Sequence, residues 1–142
     1  MSSIQFHPNE LMLIYYDPTT ITAKQTRAYA KSVANNINEV DISKNKLTTT
    51  LWKEIVNKLN MHPEDIMDKS SSVFKEKFSD SHYTMTGLLE ALVHEPQLLK
   101  YPVAIYQKRA VFCQKQTDIL RLEVNSRVSH KIPPHLKSRS AG

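Results

Sequence analysis

The pattern of apolar and polar residues predicts a long buried strand near the start of the chain. An unbroken apolar run extends from Leu11 to Tyr16, which is typical of a strand that is buried on both faces. Asp17 and Pro18 end the run, because proline has no amide hydrogen for a sheet and disfavours helical angles in the preceding residue. The threonines that follow can cap a helix. A strand, a turn and a helix start are therefore predicted in succession.

The rest of the chain alternates between helical and strand patterns. Apolar residues at helical spacing predict a first helix over 24–36, and alternation over 37–42 predicts a second strand, parallel to the first. Trp52 is expected to fill the core. The other predicted elements are a helix at 51–59, a helix start at 62–65, a loop with one helical turn at 69–80, a helix at 84–94, hairpin strands at 102–106 and 109–113, and a helix at 116–124.

Composition limits the class of protein. A chain of 142 residues with two glycines fits one domain and argues against a glycine-rich phosphate loop. A single cysteine, Cys113, cannot form an internal disulfide and fits a reducing compartment. No apolar run is long enough to span a bilayer, and residues 1–10 do not resemble a signal peptide. We therefore expect a cytoplasmic protein that does not enter a membrane. We also expect it to be a monomer or a weak dimer.

The positive charge is concentrated at the end of the chain. Residues 1–118 hold 14 Lys and Arg against 13 Asp and Glu, whereas residues 119–142 hold five basic residues against Glu123 alone. The tail has no aromatic residue for base stacking, so nucleic-acid binding is not expected. The predicted organisation is a lead-in at 1–10, a folded domain at 11–124 and a basic tail at 125–142, poorly ordered unless it docks.

The turn after the first strand is the main candidate for a binding site. Backbone N–H groups at a helix N-terminus favour an anion, and Thr19, Thr20, Thr22 and Lys24 would add hydroxyl groups and a positive charge. The alternative is that the threonines only cap the helix. The six histidines lack the spacing of a metal site, so no metal is expected. No Ser-His-Asp order, pair of catalytic carboxylates or Walker loop is present.

Three segments resemble a known family. YYDPTTITAKQT, LVHEPQLLKYPVAI and KRAVFCQKQTDIL are similar in layout to the motifs of the arsenate reductases that use glutaredoxin, and of their Spx-type relatives. The resemblance extends over about 11–122. It implies an α/β, thioredoxin-like fold with a small mixed four-stranded sheet and a helical insertion. It also implies a cis bond between Tyr101 and Pro102, and a loop there that faces the threonine turn.

The same resemblance implies that the family's chemistry is missing. The nucleophilic cysteine of the family falls on Thr20, and a hydroxyl has no thiolate form near neutral pH. The three arginines that hold the oxyanion fall on Asp68, Tyr101 and Gln114, which removes charge and paired hydrogen bonds. A lysine lies beside each lost arginine, but a shift of one residue in a strand turns the side chain to the other face. These lysines are Lys69, Lys100 and Lys115.

Three functional hypotheses remain open. The first is a catalytically degenerate module, a pseudoenzyme, that binds a protein or a small anion without a cofactor. The second is a thiol oxidoreductase that acts through Cys113 with glutathione or glutaredoxin. If the hairpin lies at the edge of the sheet, that cysteine would lie two strands from the first strand, and it is expected to be inert and half-buried. The third is a transcription-associated adaptor of the Spx type. The missing cysteine at Thr20 favours the first hypothesis, and therefore a protein that is not an enzyme.

Overall fold

A mixed four-stranded sheet forms the centre of the structure. The computed structural model describes residues 9–78, 83–122 and 124. The strands are β1 (Leu11–Tyr15), β2 (Ile37–Asp41), β3 (Val103–Tyr106) and β4 (Arg109–Phe112). Their order across the sheet is β2-β1-β3-β4, with β1 parallel to β2 and antiparallel to β3. The predicted mixed sheet, with the long apolar strand in its interior, is confirmed.

The helices lie before, between and after these strands. A helical insertion separates β2 from β3, as predicted. The α-helices are α1 (Ile21–Val33), α2 (Thr49–Leu59), α3 (Ser72–Phe78) and α4 (Met85–His94). The 3-10 helices span Pro63–Ile66, Pro96–Leu98 and Gln116–Leu122.

Threonine side chains begin three of the α-helices. The hydroxyl oxygen of Thr20 accepts the Ala23 N–H at the start of α1, at 3.2 Å. Thr48 caps α2 in the same way, and Thr84 caps α4. Each hydroxyl satisfies an N–H group that has no partner inside its own helix. The helix starts therefore follow from local sequence.

Two hydrophobic cores lie on the two faces of the sheet, and β1 contributes to both. Met12 and Ile14 point into the core that contains the buried residues of α2 and α4, including Trp52. Leu11 and Leu13 point into the core formed with α1 and the last 3-10 helix. This alternation explains the unbroken apolar run, since both faces of the strand are covered.

Several predicted boundaries were wrong. The first helix begins at Ile21, earlier than residue 24, because the threonine cap lies directly before it. The loop predicted over 69–80 contains the whole of α3, where the Phe74 and Phe78 rings pack 5.0 Å apart. The last predicted helix is a 3-10 helix, with the Asp118 carboxylate accepting the N–H of Lys115 at 3.0 Å. The basic tail at 125–142 lies outside the described residues, as does most of the lead-in.

The expectation of a cis bond before Pro102 was also wrong. Every peptide bond between described residues is trans, including the bond from Tyr101 to Pro102. The trans form is the intrinsically favoured one even before proline. The chain on both sides of this bond is held by backbone contacts: Lys100 N–H donates to the Ile66 carbonyl at 3.0 Å, and Cys113 N–H donates to the Pro102 carbonyl at 2.8 Å.

Candidate functional site

The turn between β1 and α1 faces the segment before β3, and a cleft of about 200 Å³ lies between them. Of the predicted site residues, Thr20, Thr22, Tyr101 and Pro102 line this cleft together. The facing arrangement expected from the resemblance is therefore present, although the proline bond is trans. Thr19 and Lys24 are exposed and do not line the cleft. The other residues that line it are Tyr15, Tyr16, Asp17, Ala23, Leu99 and Lys100.

The carboxylate of Asp17 occupies the turn. Its Oδ1 atom accepts a hydrogen bond from the Thr19 N–H at 2.9 Å and from the Thr19 hydroxyl at 2.7 Å. These two bonds hold the pKa of Asp17 below its usual value, because they stabilise the ionised form. A fixed negative charge therefore stands beside the positive end of the α1 dipole, which lowers the affinity of the turn for an external anion.

The hydroxyl of Thr20 is fully used within the chain. It donates to the Asp17 carbonyl at 3.1 Å and accepts from the Ala23 N–H at 3.2 Å. The capping interpretation of this threonine is thus confirmed. The N–H groups of Ile21 and Thr22, in the first turn of α1, have no hydrogen-bond partner among the described residues. They are the donors that this end of the helix retains for a ligand.

The positions that the resemblance aligns with the family's arginines do not form an oxyanion cradle. Asp68 closes its own turn, where its carboxylate accepts from the Ser70 N–H at 3.1 Å and the Ser70 hydroxyl at 2.6 Å. Gln114 and Tyr101 line an adjoining depression of about 330 Å³. Tyr101 packs edge-on against Phe112, with 5.5 Å between the ring centroids. None of these side chains supplies a positive charge.

Two of the neighbouring lysines already have partners. The Lys69 ammonium lies 3.4 Å from the Glu64 carboxylate. The Lys100 ammonium lies 5.6 Å from the centroid of the Tyr101 ring, within the range of a cation-π contact. Lys100 reaches both the cleft and the adjoining depression, so it is the positive group closest to the candidate site.

The only thiol of the chain is buried. Cys113 follows β4, two strands from β1 as predicted, but its exposure is 0%, so the expectation of a half-buried side chain was wrong. It belongs to the core shared with Ile119 and Leu122, beneath the last 3-10 helix. Burial, with a smaller contribution from the nearby Asp118 carboxylate, raises the pKa of the thiol to about 12. A buried, protonated thiol is a poor nucleophile.

This burial predicts how the thiol reacts and how stability depends on pH. A water-soluble thiol reagent should label Cys113 in denaturant but not in the native protein. An unfolded thiol ionises near its ordinary pKa of about 8.5, well below the folded pKa of about 12. Since the unfolded chain loses this proton first, the free energy of unfolding should fall as the pH rises between these values. Urea denaturation across this range should show that the free energy of unfolding falls less steeply with pH for Cys113→Ala than for the wild type. An equal fall in the two proteins would contradict the raised pKa of Cys113.

A polar cluster beside the cleft was not predicted. The Glu39 carboxylate accepts the Tyr15 hydroxyl at 2.8 Å and pairs with Arg27 Nε at 2.6 Å. Burial, followed by the hydrogen bond to Glu39, raises the pKa of Tyr15 to about 12. The cluster joins β1, β2 and α1, and Tyr15 also lines the cleft. In the parallel register of β1 and β2, Leu13 lies opposite Glu39 and Tyr15 opposite Asp41, so Tyr15 and Glu39 are diagonal neighbours on one face of the sheet.

Some classes of site are not found in the described part of the chain. Across residues 9–78, 83–122 and 124, no three His, Cys, Asp or Glu side chains gather as metal ligands. In those same ranges, no helix combines the length and the apolar character needed to cross a membrane.

Comparisons with known proteins identify the fold. No protein-family model and no curated protein sequence matches this chain. Among solved structures, it is similar to an arsenate reductase from Vibrio cholerae, with a TM-score of 0.74, 15% identity, and coverage of 81% of this chain and 98% of the other. A putative arsenate reductase from Yersinia pestis gives a TM-score of 0.72 and 18% identity, over 78% of this chain and 98% of the other. The chain therefore has the thioredoxin-like fold of the arsenate-reductase-like proteins.

Proposed function

We propose that this protein is a catalytically degenerate binding module, which engages a protein partner through the cleft between Thr20 and Pro102. The observation that carries the proposal is the internal occupation of the turn. The Asp17 carboxylate takes up the Thr19 N–H and the Thr20 hydroxyl takes up the Ala23 N–H, so the turn carries a fixed negative charge and has a hydroxyl where a thiolate would be needed. The turn is therefore suited to contact and not to chemistry.

The state of the thiol supports the same proposal. Reduction of arsenate by a thiol requires a thiolate that reaches solvent and then forms a mixed disulfide. Cys113 is completely buried and has a raised pKa, so neither condition is met in the folded protein. Thr20 has no redox chemistry. An oxidoreductase that acts through Cys113 is thus the less favoured hypothesis.

The negative charge and the exposed apolar surface at the site favour a protein partner over a small anion. The ionised Asp17 repels anions. Ile21, the first residue of α1, is 73% exposed beside the cleft and offers an apolar contact. An adaptor of the Spx type would be one form of such a module, and the single reduced cysteine suits a cytoplasmic location.

Partner binding can be tested with a matched pair of variants. Met85 is the first residue of α4, as Ile21 is of α1, and it is also exposed, at 44%. Aspartate is favourable in the first turn of a helix, so neither Ile21→Asp nor Met85→Asp should unfold the protein. A partner captured from native extract by the wild type should be lost with Ile21→Asp and retained with Met85→Asp. Equal retention by both variants would place the binding surface elsewhere.

The absence of reductase activity is the complementary prediction. In glutaredoxin-coupled and thioredoxin-coupled assays, arsenate reduction should equal the rate without the protein, because Cys113 is buried and Asp68, Tyr101 and Gln114 supply no arginine for the oxyanion. Turnover above that control which survives Cys113→Ala would contradict the proposal, since the chain has no other cysteine. Turnover that disappears with Cys113→Ala would instead restore the oxidoreductase hypothesis.

A further inference from the structure

The outer edge of β4 carries unpaired backbone groups. The Cys113 N–H donates to the Pro102 carbonyl, so these two residues form a hydrogen-bonded pair. Hydrogen-bonded and non-hydrogen-bonded pairs alternate along an antiparallel ladder, so the backbone groups of Ala110 and Phe112 point away from β3. The Phe112 carbonyl is used, since it accepts the Gln114 N–H at 2.9 Å. The Ala110 N–H and carbonyl and the Phe112 N–H have no partner among the described residues. An edge of this kind is a template for another strand.

A groove of about 320 Å³ runs along this edge, and its two sides differ in character. Leu59 and Met61 lie on the side of α2, where they pack against the core that contains Phe112. Lys115, Asp118 and Arg121 lie on the side of the last 3-10 helix. A strand added here would therefore place alternate side chains on an apolar surface and on a charged one.

The charged side of the groove has an excess of positive charge. The Asp118 carboxylate is already engaged by the Lys115 N–H at 3.0 Å and by the Arg121 guanidinium at 3.7 Å. The Arg121 side chain is still 71% exposed. The Lys115 ammonium has no ion-pair partner in the part of the chain that the structure describes. Two basic groups thus remain available to acidic side chains in the groove.

We propose that the β4 edge binds an extended acidic segment of a partner protein, which alternates apolar and acidic residues and adds to the sheet as a further strand. The backbone groups of Ala110 and Phe112 would supply the hydrogen bonds. Leu59 and Met61 would receive the apolar side chains, while Lys115 and Arg121 would receive the acidic ones. This site is separate from the Thr20 cleft and does not depend on it.

Charge disfavours two other possible occupants of this edge, the end of the same chain and a second copy of the protein. Residues 125–142 of the same chain contain four Lys and Arg and no Asp or Glu, so they would meet like charge in the groove. A second copy of the protein would bring its own Lys115 and Arg121 to the same edge. Like charges placed together oppose pairing, whereas an acidic strand is attracted.

The test uses the full-length protein and a labelled synthetic peptide that alternates leucine and glutamate, with fluorescence anisotropy as the readout. We expect binding that weakens with added salt, and no binding of the same peptide with lysine in place of glutamate. Lys115→Glu and Arg121→Glu should each weaken binding about tenfold through repulsion of the acidic side chains. Lys44→Glu, which makes the same charge change after β2 on the opposite edge of the sheet, should leave it unchanged.

The backbone contribution is tested with Ala110→Pro. This change removes one outward N–H without breaking the β3-β4 ladder, and proline is tolerated on edge strands. Binding should fall about tenfold or more while the circular dichroism stays native. If this variant unfolds, the charge-reversal variants Lys115→Glu and Arg121→Glu test the proposal in its place. Equal binding of the glutamate and lysine peptides, or displacement of the probe by a peptide of residues 125–142, would overturn the proposal. The proposal would also be overturned if the wild type formed a dimer and Lys115→Glu made that dimer more stable.

Discussion

Trp52→Ala should lower the free energy of unfolding by about 3–5 kcal/mol, which would make it one of the most destabilising single changes in this protein. Trp52 is completely buried in α2, in the core that also contains Ile14 and Leu92. Truncation would remove the packing of the indole and leave a cavity that the flanking helices fill only in part. Urea denaturation, followed by far-ultraviolet circular dichroism, measures the change.

Trp52→Phe is the matched control. The indole Nε1 of Trp52 is buried without a hydrogen-bond partner in the described structure. Phenylalanine keeps much of the apolar volume and removes this unsatisfied donor, so no hydrogen bond is lost. We expect a loss of less than about 2 kcal/mol, well below that of alanine. A loss for Trp52→Phe as large as that for Trp52→Ala would contradict the packing argument, because phenylalanine keeps much of the apolar volume.

Much of the fold could be predicted because its signals are local. The apolar run of β1 has no polar interruption since both faces of the strand are covered, and this can be recognised in the sequence. Thr48 and Thr84 mark the starts of α2 and α4 by cap chemistry that acts over only a few residues. Such elements depend on their own residues more than on distant ones.

The predictions that failed or were missing depend on tertiary contacts. The isomer before Pro102 is not determined by local sequence, and the resemblance suggested the wrong one. The Tyr15-Glu39-Arg27 cluster joins three elements that are distant in the chain. Asp17 was interpreted only as the end of a strand, although its carboxylate determines the electrostatics of the turn. Its spacing to Thr19 was a usable signal, since aspartate commonly hydrogen-bonds the backbone two residues later.

A cysteine introduced by Thr20→Cys would report the electrostatics of this turn. The N-terminus of α1 favours a thiolate, so the pKa of the new thiol should lie below the reference of about 8.5. Arsenate reduction should nevertheless stay negligible, because Asp68, Tyr101 and Gln114 cannot hold the oxyanion as arginines would. The Cys113→Ala change, made in the same protein, removes the natural thiol, so the titration reports only the thiol introduced by Thr20→Cys.

The most direct test is the titration of this thiol with and without the Asp17 carboxylate, followed by the ultraviolet absorbance of the thiolate. With Asp17→Asn, the negative charge beside the helix N-terminus is gone, and the pKa of the Thr20→Cys thiol should fall further, by about half to one pH unit. That result would show that the turn keeps a positive field, which Asp17 offsets in the natural sequence. A thiol that titrates at or above about 8.5 in both variants would contradict the assignment of this turn as the site.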